Sequence, residues 1–308
     1  MGYTAVFGVI FVDIKGFPFN KYVAKGRNLG DIRFVHGGVA RNIVEDFANA
    51  GQDVSFITIT EKTAVGTEAI ENLRSAGVNL EYVKEIENGA VGMWMVILDE
   101  SGDVAGQISK MPDISALEKL VDEKGDEIVR NCDNIILEMD MGESISEKIF
   151  ALAEKYNKKV YIIVGNMSVI LRRKDLVKKA DVFICNEIEI GNLLGCDMTK
   201  LGPDEMSLRV KEASENSGYP SIVVTMGKNG AAYYDKASGE YGVCPVRKVN
   251  LIDSTGAGDA FLSGTVIGLT NGCKLKNAVK IGTYLAALTI QCDKSSCPTT
   301  CIPGDFYI

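Results

Sequence analysis

The chain has one histidine and one tryptophan among 308 residues, seven prolines, no excess of basic residues and no long uninterrupted apolar run. Each shortage excludes something. With His36 as the only imidazole, a Ser-His-Asp or Cys-His mechanism would have to use that residue as its base. A membrane span needs about 18 consecutive apolar residues. The opening Met1 to Phe19 lacks the basic segment, apolar run and cleavage site of a secretory leader. Val6 stands where a myristoylation pattern needs Ser or Thr. A cytoplasmic protein with no membrane partner is expected. Lysine plus arginine total 33 against 41 acids, a net charge of -8, so no nucleic acid is expected as a partner, although a small anion needs only a local site.

The eight cysteines have no paired close spacing and read as reduced thiols. The trio Cys292, Cys297 and Cys301 offers three ligands at spacings unlike zinc modules. Glycine is plentiful at 32, which points to tight turns or loops that hug a ligand. Hydrophobic residues at 46% with 24% charged exclude disorder.

Short β-branched runs recur along the chain: Val6 to Phe11, Val54 to Ile59, Ile135 to Leu137, Val160 to Val164, Val182 to Ile184 and Ile222 to Val224. Between the first runs, Ile43, Phe47 and Ala50 share a helical face that stops at Gly51, and Ala69, Leu73 and Ala76 one that stops at Gly77. Continuous apolar strands alternating with amphipathic helices predict a three-layer α/β/α sandwich with a mainly parallel sheet. Two stretches, about 12–35 and 89–109, break the rhythm. The second predicts a hairpin, Met93 to Leu98 turning at Glu100-Ser101-Gly102-Asp103, and together they predict a small β lid inserted in one domain over 1–308. Met93, Trp94 and Met95 would cover a ligand there or pack against the lid's other strand.

The strongest chemical signal is Val249 to Phe261. The pattern predicts an apolar strand ending at Asp253, small residues, then a helix beginning near Asp259 with Leu262, Val266 and Leu269 on one face. Free N–H groups of Gly256, Ala257 and Gly258, at the positive end of that helix, would form an anion hole for a phosphate group. A carboxylate beside such a hole makes sense if Asp259 takes the proton from a hydroxyl that attacks the phosphorus. A bare Gly-Ala-Gly would instead read as a plain joint with a first-turn acid. Neither G-x-G-x-x-G nor G-x-x-x-x-G-K-[ST] is present, which weakens dinucleotide and P-loop readings.

The string Asp253 to Phe261 resembles the C-terminal signature of the ribokinase, or PfkB, family of carbohydrate kinases. Gly37-Gly38-Val39-Ala40-Arg41-Asn42 resembles the family's N-terminal signature, in the family's order. The resemblance covers nearly the whole chain and implies a ribokinase-like fold and an enzyme that transfers phosphate from ATP to an alcohol group. It implies Asp259 as general base and Gly256, Ala257 and Gly258 around the transferring phosphate. Asn186-Glu187-Ile188-Glu189 is similar to the family's Asn-x-x-Glu motif, which implies phosphate organisation by Asn186 and hydrated Mg2+ near Glu189, with Asp253 as a second metal residue. Thr225-Met226-Gly227, with Gly230 closing a turn, resembles the nucleotide-phosphate loop, and Thr255 belongs with it. Without the signatures, Glu189 reads as a solvated helix acid and Gly227 as a plain turn.

On the acceptor side, Asp13 follows the first predicted strand, at the edge where α/β sheets place ligands. Asn42 can donate and accept at once, Gly37 and Gly38 leave room for a ring, and Glu138 and Asp140 follow another strand. Helix capping is the bland alternative for the first group, and solvation for the acids. The chain departs from the family at Gly165-Asn166, where many members have Asp-Pro or Asn-Pro, and at Cys292-Asp293-Lys294, where potassium-activated members show Gly-Ala. A K+ requirement therefore stays open. Within the family, Val12-Asp13-Ile14-Lys15-Gly16, the string GGVARN and Cys292-Asp293 in place of Gly-Ala most resemble pseudouridine kinases. That likeness implies transfer to a 5'-hydroxyl, with Lys15 or Arg41 near the base or in surface ion pairs. A ribose or fructose kinase and a non-catalytic sugar or nucleoside binder on the same fold are the alternatives. Lid edges also suggest a homodimer.

Overall fold

Strand β1 (Thr4–Phe7) is buried along its whole length and sits inside a nine-stranded sheet. This computed structural model describes residues 2–165 and 167–307, apart from the side chains of Asp140 and Tyr307. Asn166 lies outside the described residues, as does the Asp140 side chain. β1 pairs in parallel with β4 (Val54–Glu61) on one side and β8 (Asn134–Glu138) on the other. The parallel run continues through β9 (Lys159–Ile163), β10 (Val182–Asn186) and β11 (Ser221–Thr225), and β5 (Val83–Ile86) borders β4. Two antiparallel strands, β12 (Ala231–Tyr234) and β13 (Tyr241–Cys244), close one edge.

Helices cover both faces, which is why these strands read as unbroken apolar runs. Ala5 and Phe7 point into the core formed with the helices Ser115–Asn131 and Glu143–Tyr156. Val6 points the other way, toward the helices Val39–Asn49 and Ala257–Thr270. The Gly51 and Gly77 stops hold: the helices end at Asn49 and Ala76, and both glycines adopt positive φ. Among the described residues no helix is long and apolar enough to cross a membrane.

The two stretches that break the rhythm form a second sheet in the order β3-β2-β6-β7, from β2 (Phe11–Pro18), β3 (Gly30–Gly37), β6 (Gly92–Leu98) and β7 (Val104–Lys110). Its register puts Ile14, Phe34, Met95 and Ile108 side by side on one face, and Asp13 and Trp94 on the other. The three residues Met93, Trp94 and Met95 therefore divide by the alternation of a strand.

Two sequence expectations fail here. The run Val249 to Asp253 forms no strand: β13 ends the sheet at Cys244, and Leu251 and Ile252 are exposed. Ile252 spends its N–H on the Ile290 carbonyl at 2.8 Å, so no ladder is available to it. Likewise, Val6 to Phe11 is not one strand. The sheet breaks after Phe7, and Asp13 lies inside β2 rather than just beyond β1.

Candidate functional site

The helix Ala257–Thr270 starts two residues before Asp259, with Gly256 as its N-cap at φ 77°, ψ -3°. Ala257 N–H donates to Ser254 O at 3.2 Å, closing a tight turn that puts Gly256 in the left-handed conformation. A Cβ on Gly256 would stand 1.9 Å from Ser295 O, so only glycine fits. This corrects the picture of three free amides, because the turn uses the Ala257 N–H. Gly256 and Gly258 have no backbone hydrogen-bond acceptor among the described residues, and open space faces the position of a Gly258 Cβ. Two approachable donors at a helix N-terminus still suit an anion.

Asp259, half-buried in the first turn, accepts from Asn42 Nδ2 at 2.7 Å. Burial pushes its carboxyl up to about 7; the Asn42 bond opposes this, while the charges of Asp13 and Glu189 add to it. Asn42 belongs to the interior of the helix Val39–Asn49, whose N-cap is Gly38, so it caps nothing. Its Oδ1 accepts from Arg41 Nη1 at 3.2 Å, and Arg41 pairs with Glu45 at 2.7 Å. Glu45 in turn accepts from Ser296 Oγ at 2.6 Å. Beside it, Asp46 is fully buried, taking Cys297 N–H at 2.6 Å and Ser263 Oγ at 2.9 Å. One helix thus ties down the loop that packs on Gly256. Asp46 escaped the sequence reading, although it falls three residues after Ile43 and so on the buried face.

A cavity of about 560 Å³ opens between the two sheets. Asp13, Gly38, Asn42, Glu138, Thr255, Gly256 and Asp259 all line it, so residues from both signatures meet there. Phe11, Trp94, Met111, Pro112 and Met141 supply apolar walls, and a periodicity reading has no means of assigning such residues to a ligand. Gly37 lies just behind: a Cβ there would be 3.0 Å from Asp13 Oδ2. Burial raises the Asp13 carboxyl, while Lys15 pulls it down. Buried Glu138 uses one oxygen to hold Val9 N–H at 3.1 Å, across the break between β1 and β2.

The remaining candidates stand outside this cavity's lining. Asn186 and Thr225 are register partners at the C-terminal ends of β10 and β11. Asn186 caps the helix Glu187–Leu194, its Oδ1 accepting from Ile188 and Glu189, while Glu189 Oε2 takes the Asn186 N–H at 2.8 Å. Asn-x-x-Glu is thus a capping box. Gly227 and Gly230 both have positive φ in the turn after β11. Asp253 accepts from Thr255 N–H at 2.8 Å. Its carboxyl sits below the usual range: burial pulls it up, but the Thr255 bonds and the Lys15 charge outweigh that. Asp253 and Glu189 provide hard carboxylate oxygens, the chemistry that a partly hydrated Mg2+ takes; among the described residues no three acidic, thiol or imidazole side chains cluster as a closed metal site.

The family model described as pfkB family carbohydrate kinase matches residues 1–300. Guanosine-inosine kinase of Exiguobacterium acetylicum is 32% identical over 290 residues, covering 94% of this chain and 95% of that one. Pseudouridine kinase of Escherichia coli is 22% identical over 296 residues, covering 96% and 93%. Arabidopsis thaliana ribokinase, solved with ribose and ATP, superposes with a TM-score of 0.81 at 20% identity, covering 97% of this chain and 96% of that one.

Proposed function

The chain belongs to the pfkB family of carbohydrate kinases, and from that premise we propose that it transfers the terminal phosphoryl group of ATP to the 5'-hydroxyl of a nucleoside, with Asp259 as general base. The observation that carries this is the carboxylate pushed up to about 7, held by Asn42, beside two unpartnered amides at a helix start. A base with that affinity for protons is matched to neutral pH. The acceptor hydroxyl gives its proton to Asp259 while its oxygen bonds to the γ-phosphorus. The bond to the bridging oxygen breaks and ADP leaves. The N–H groups of Gly256 and Gly258 receive charge that builds up on the phosphoryl oxygens. Ala257 acts by fixing the turn between them.

Asp13, Gly37, Gly38, Asn42 and Glu138 form the acceptor side. Asn186, Thr225, Gly227, Gly230 and Thr255 form the nucleotide side. Glu189 and Asp253 would hold hydrated Mg2+, which supplies charge neutralisation for the phosphates. The four-stranded sheet acts as a lid that excludes water from the transfer. Apolar walls from Phe11, Trp94 and Met111 suit a flat base more than a bare sugar. The likeness to guanosine-inosine kinase moves the favoured base from pseudouridine to a purine. The outward lid face, with Ile32, Phe34, Met95 and Ile108 exposed, takes a second copy of the chain. A twofold pairing matches this apolar face to itself and leaves the cavity on the opposite face free.

The test is ADP release with guanosine, inosine, pseudouridine and ribose, with Mg2+ and with or without K+. Asp259→Asn should lower kcat by about 10³-fold or more while calorimetric binding of the acceptor persists. An Asp259→Asn protein with near-normal turnover would refute the assignment.

A further inference from the structure

Lys15 lies on β2, inside the four-stranded sheet, yet its Nζ reaches Thr255 Oγ1 at 3.3 Å, across 240 residues of sequence. Thr255 directly precedes Gly256, one of the two approachable amides. Asp13 and Lys15 are two residues apart on one face of β2, so the ammonium stands between the acceptor side and Thr255. The surrounding acids, Asp13, Asp253 and Asp259, repel a polyphosphate. Arg41, another basic side chain tied to the site, is committed to Glu45 at 2.7 Å and to Asn42. Besides the Mg2+ that Glu189 and Asp253 would hold, the body offers the moving phosphoryl group only two amides and a helix terminus, worth about half a charge.

We infer that Lys15 is the catalytic cation of the transfer, carried into place by the lid: its Nζ contacts the oxygens of the moving phosphoryl group rather than the acceptor's base. The contact to Thr255 Oγ1 is the waiting position of the ammonium, which anchors β2 beside the anion hole. Because the cation rides on the lid and the base on the body, transfer is fast only when the two sheets close on each other. Opening of the lid would withdraw Lys15 from Thr255, so that water entering then meets Asp259 without the cation, which suppresses wasteful hydrolysis.

This inference rests on the kinase reading above, and the test keeps the two apart. Lys15→Met and Lys15→Arg are compared with the unaltered chain for kcat and KM toward the best acceptor, and for calorimetric binding of ADP with aluminium fluoride and Mg2+ in the presence of that acceptor. The expected result is a kcat lower by about 10²- to 10³-fold in Lys15→Met. Acceptor KM should change little, the tightening by aluminium fluoride should be lost, and Lys15→Arg should recover part of both. An unchanged kcat with a raised acceptor KM would overturn the inference, making Lys15 a base contact. Loss of activity in both variants with the aluminium fluoride tightening intact would overturn it as well, leaving a structural role. An unaltered chain that phosphorylates none of the acceptors overturns the kinase reading and this inference with it.

Discussion

Asn42 Nδ2 lies 2.7 Å from Asp259 Oδ2, joining the first helix of the chain to the helix Ala257–Thr270 across 217 residues. The bond stabilises the charged carboxylate and so lowers a pKa that burial raises. The proposed base is therefore set by two opposing effects that can be altered separately.

Activity should fall as pH drops through about 7, because the base must be unprotonated. Asn42→Leu removes the bond that favours the charged form and should move this acid limb to higher pH. Asp13→Asn removes a neighbouring negative charge and should move it lower. Profiles of kcat against pH for the three proteins check both signs, and parallel shifts in one direction would contradict the account.

Gly256→Ala should be severe. The new Cβ would meet Ser295 O, and φ 77° is unfavourable for any residue with a side chain. A loss of about 2–4 kcal/mol in a urea titration is expected, with activity falling further than the remaining folded fraction explains. A melting curve and kcat equal to those of the unaltered chain would disprove the tight packing of this turn.

Asp46 predicts a pH dependence of stability. Its burial raises the carboxyl from 3.8 to about 7, against bonds from Cys297 and Ser263 that lower it. The folded state thus keeps a proton that the unfolded chain releases, so stability is lost as pH rises from about 4 to 7. Asp259 contributes in the same direction. Asp46→Asn should flatten this slope, gaining on the unaltered chain toward pH 8 while matching it near pH 4. Melting temperatures across that range are the measurement, and identical slopes would rule Asp46 out as a source.

The second copy on the lid can be tested by charge. Phe34→Asp with Ile108→Asp places carboxylates on the exposed face, away from Asp13 and Trp94. Sedimentation should find a dimer for the unaltered chain and a monomer for the variant. A monomer in both removes the homodimer from the proposal.

Sequence alone determined the layered α/β plan, the helix stops at Gly51 and Gly77, the Gly-rich turn and the acid that follows it. These depend on local periodicity and on conformations open to glycine, both of which are written into neighbouring residues. Local pattern also misled: Val249 to Asp253 has a strand's composition but no partner strand, since a ladder is a property of two segments. Only the tertiary structure decided that Asp46 sits buried behind Asp259, that Trp94 and Met95 face opposite ways, that the Ala257 amide is taken by its own turn, and that Lys15 reaches Thr255. Each of these depends on what lies opposite a side chain, across as many as 251 residues for Asp46 and Cys297. Burial, electrostatics and hydrogen bonding act through space, and the order of residues does not state that distance.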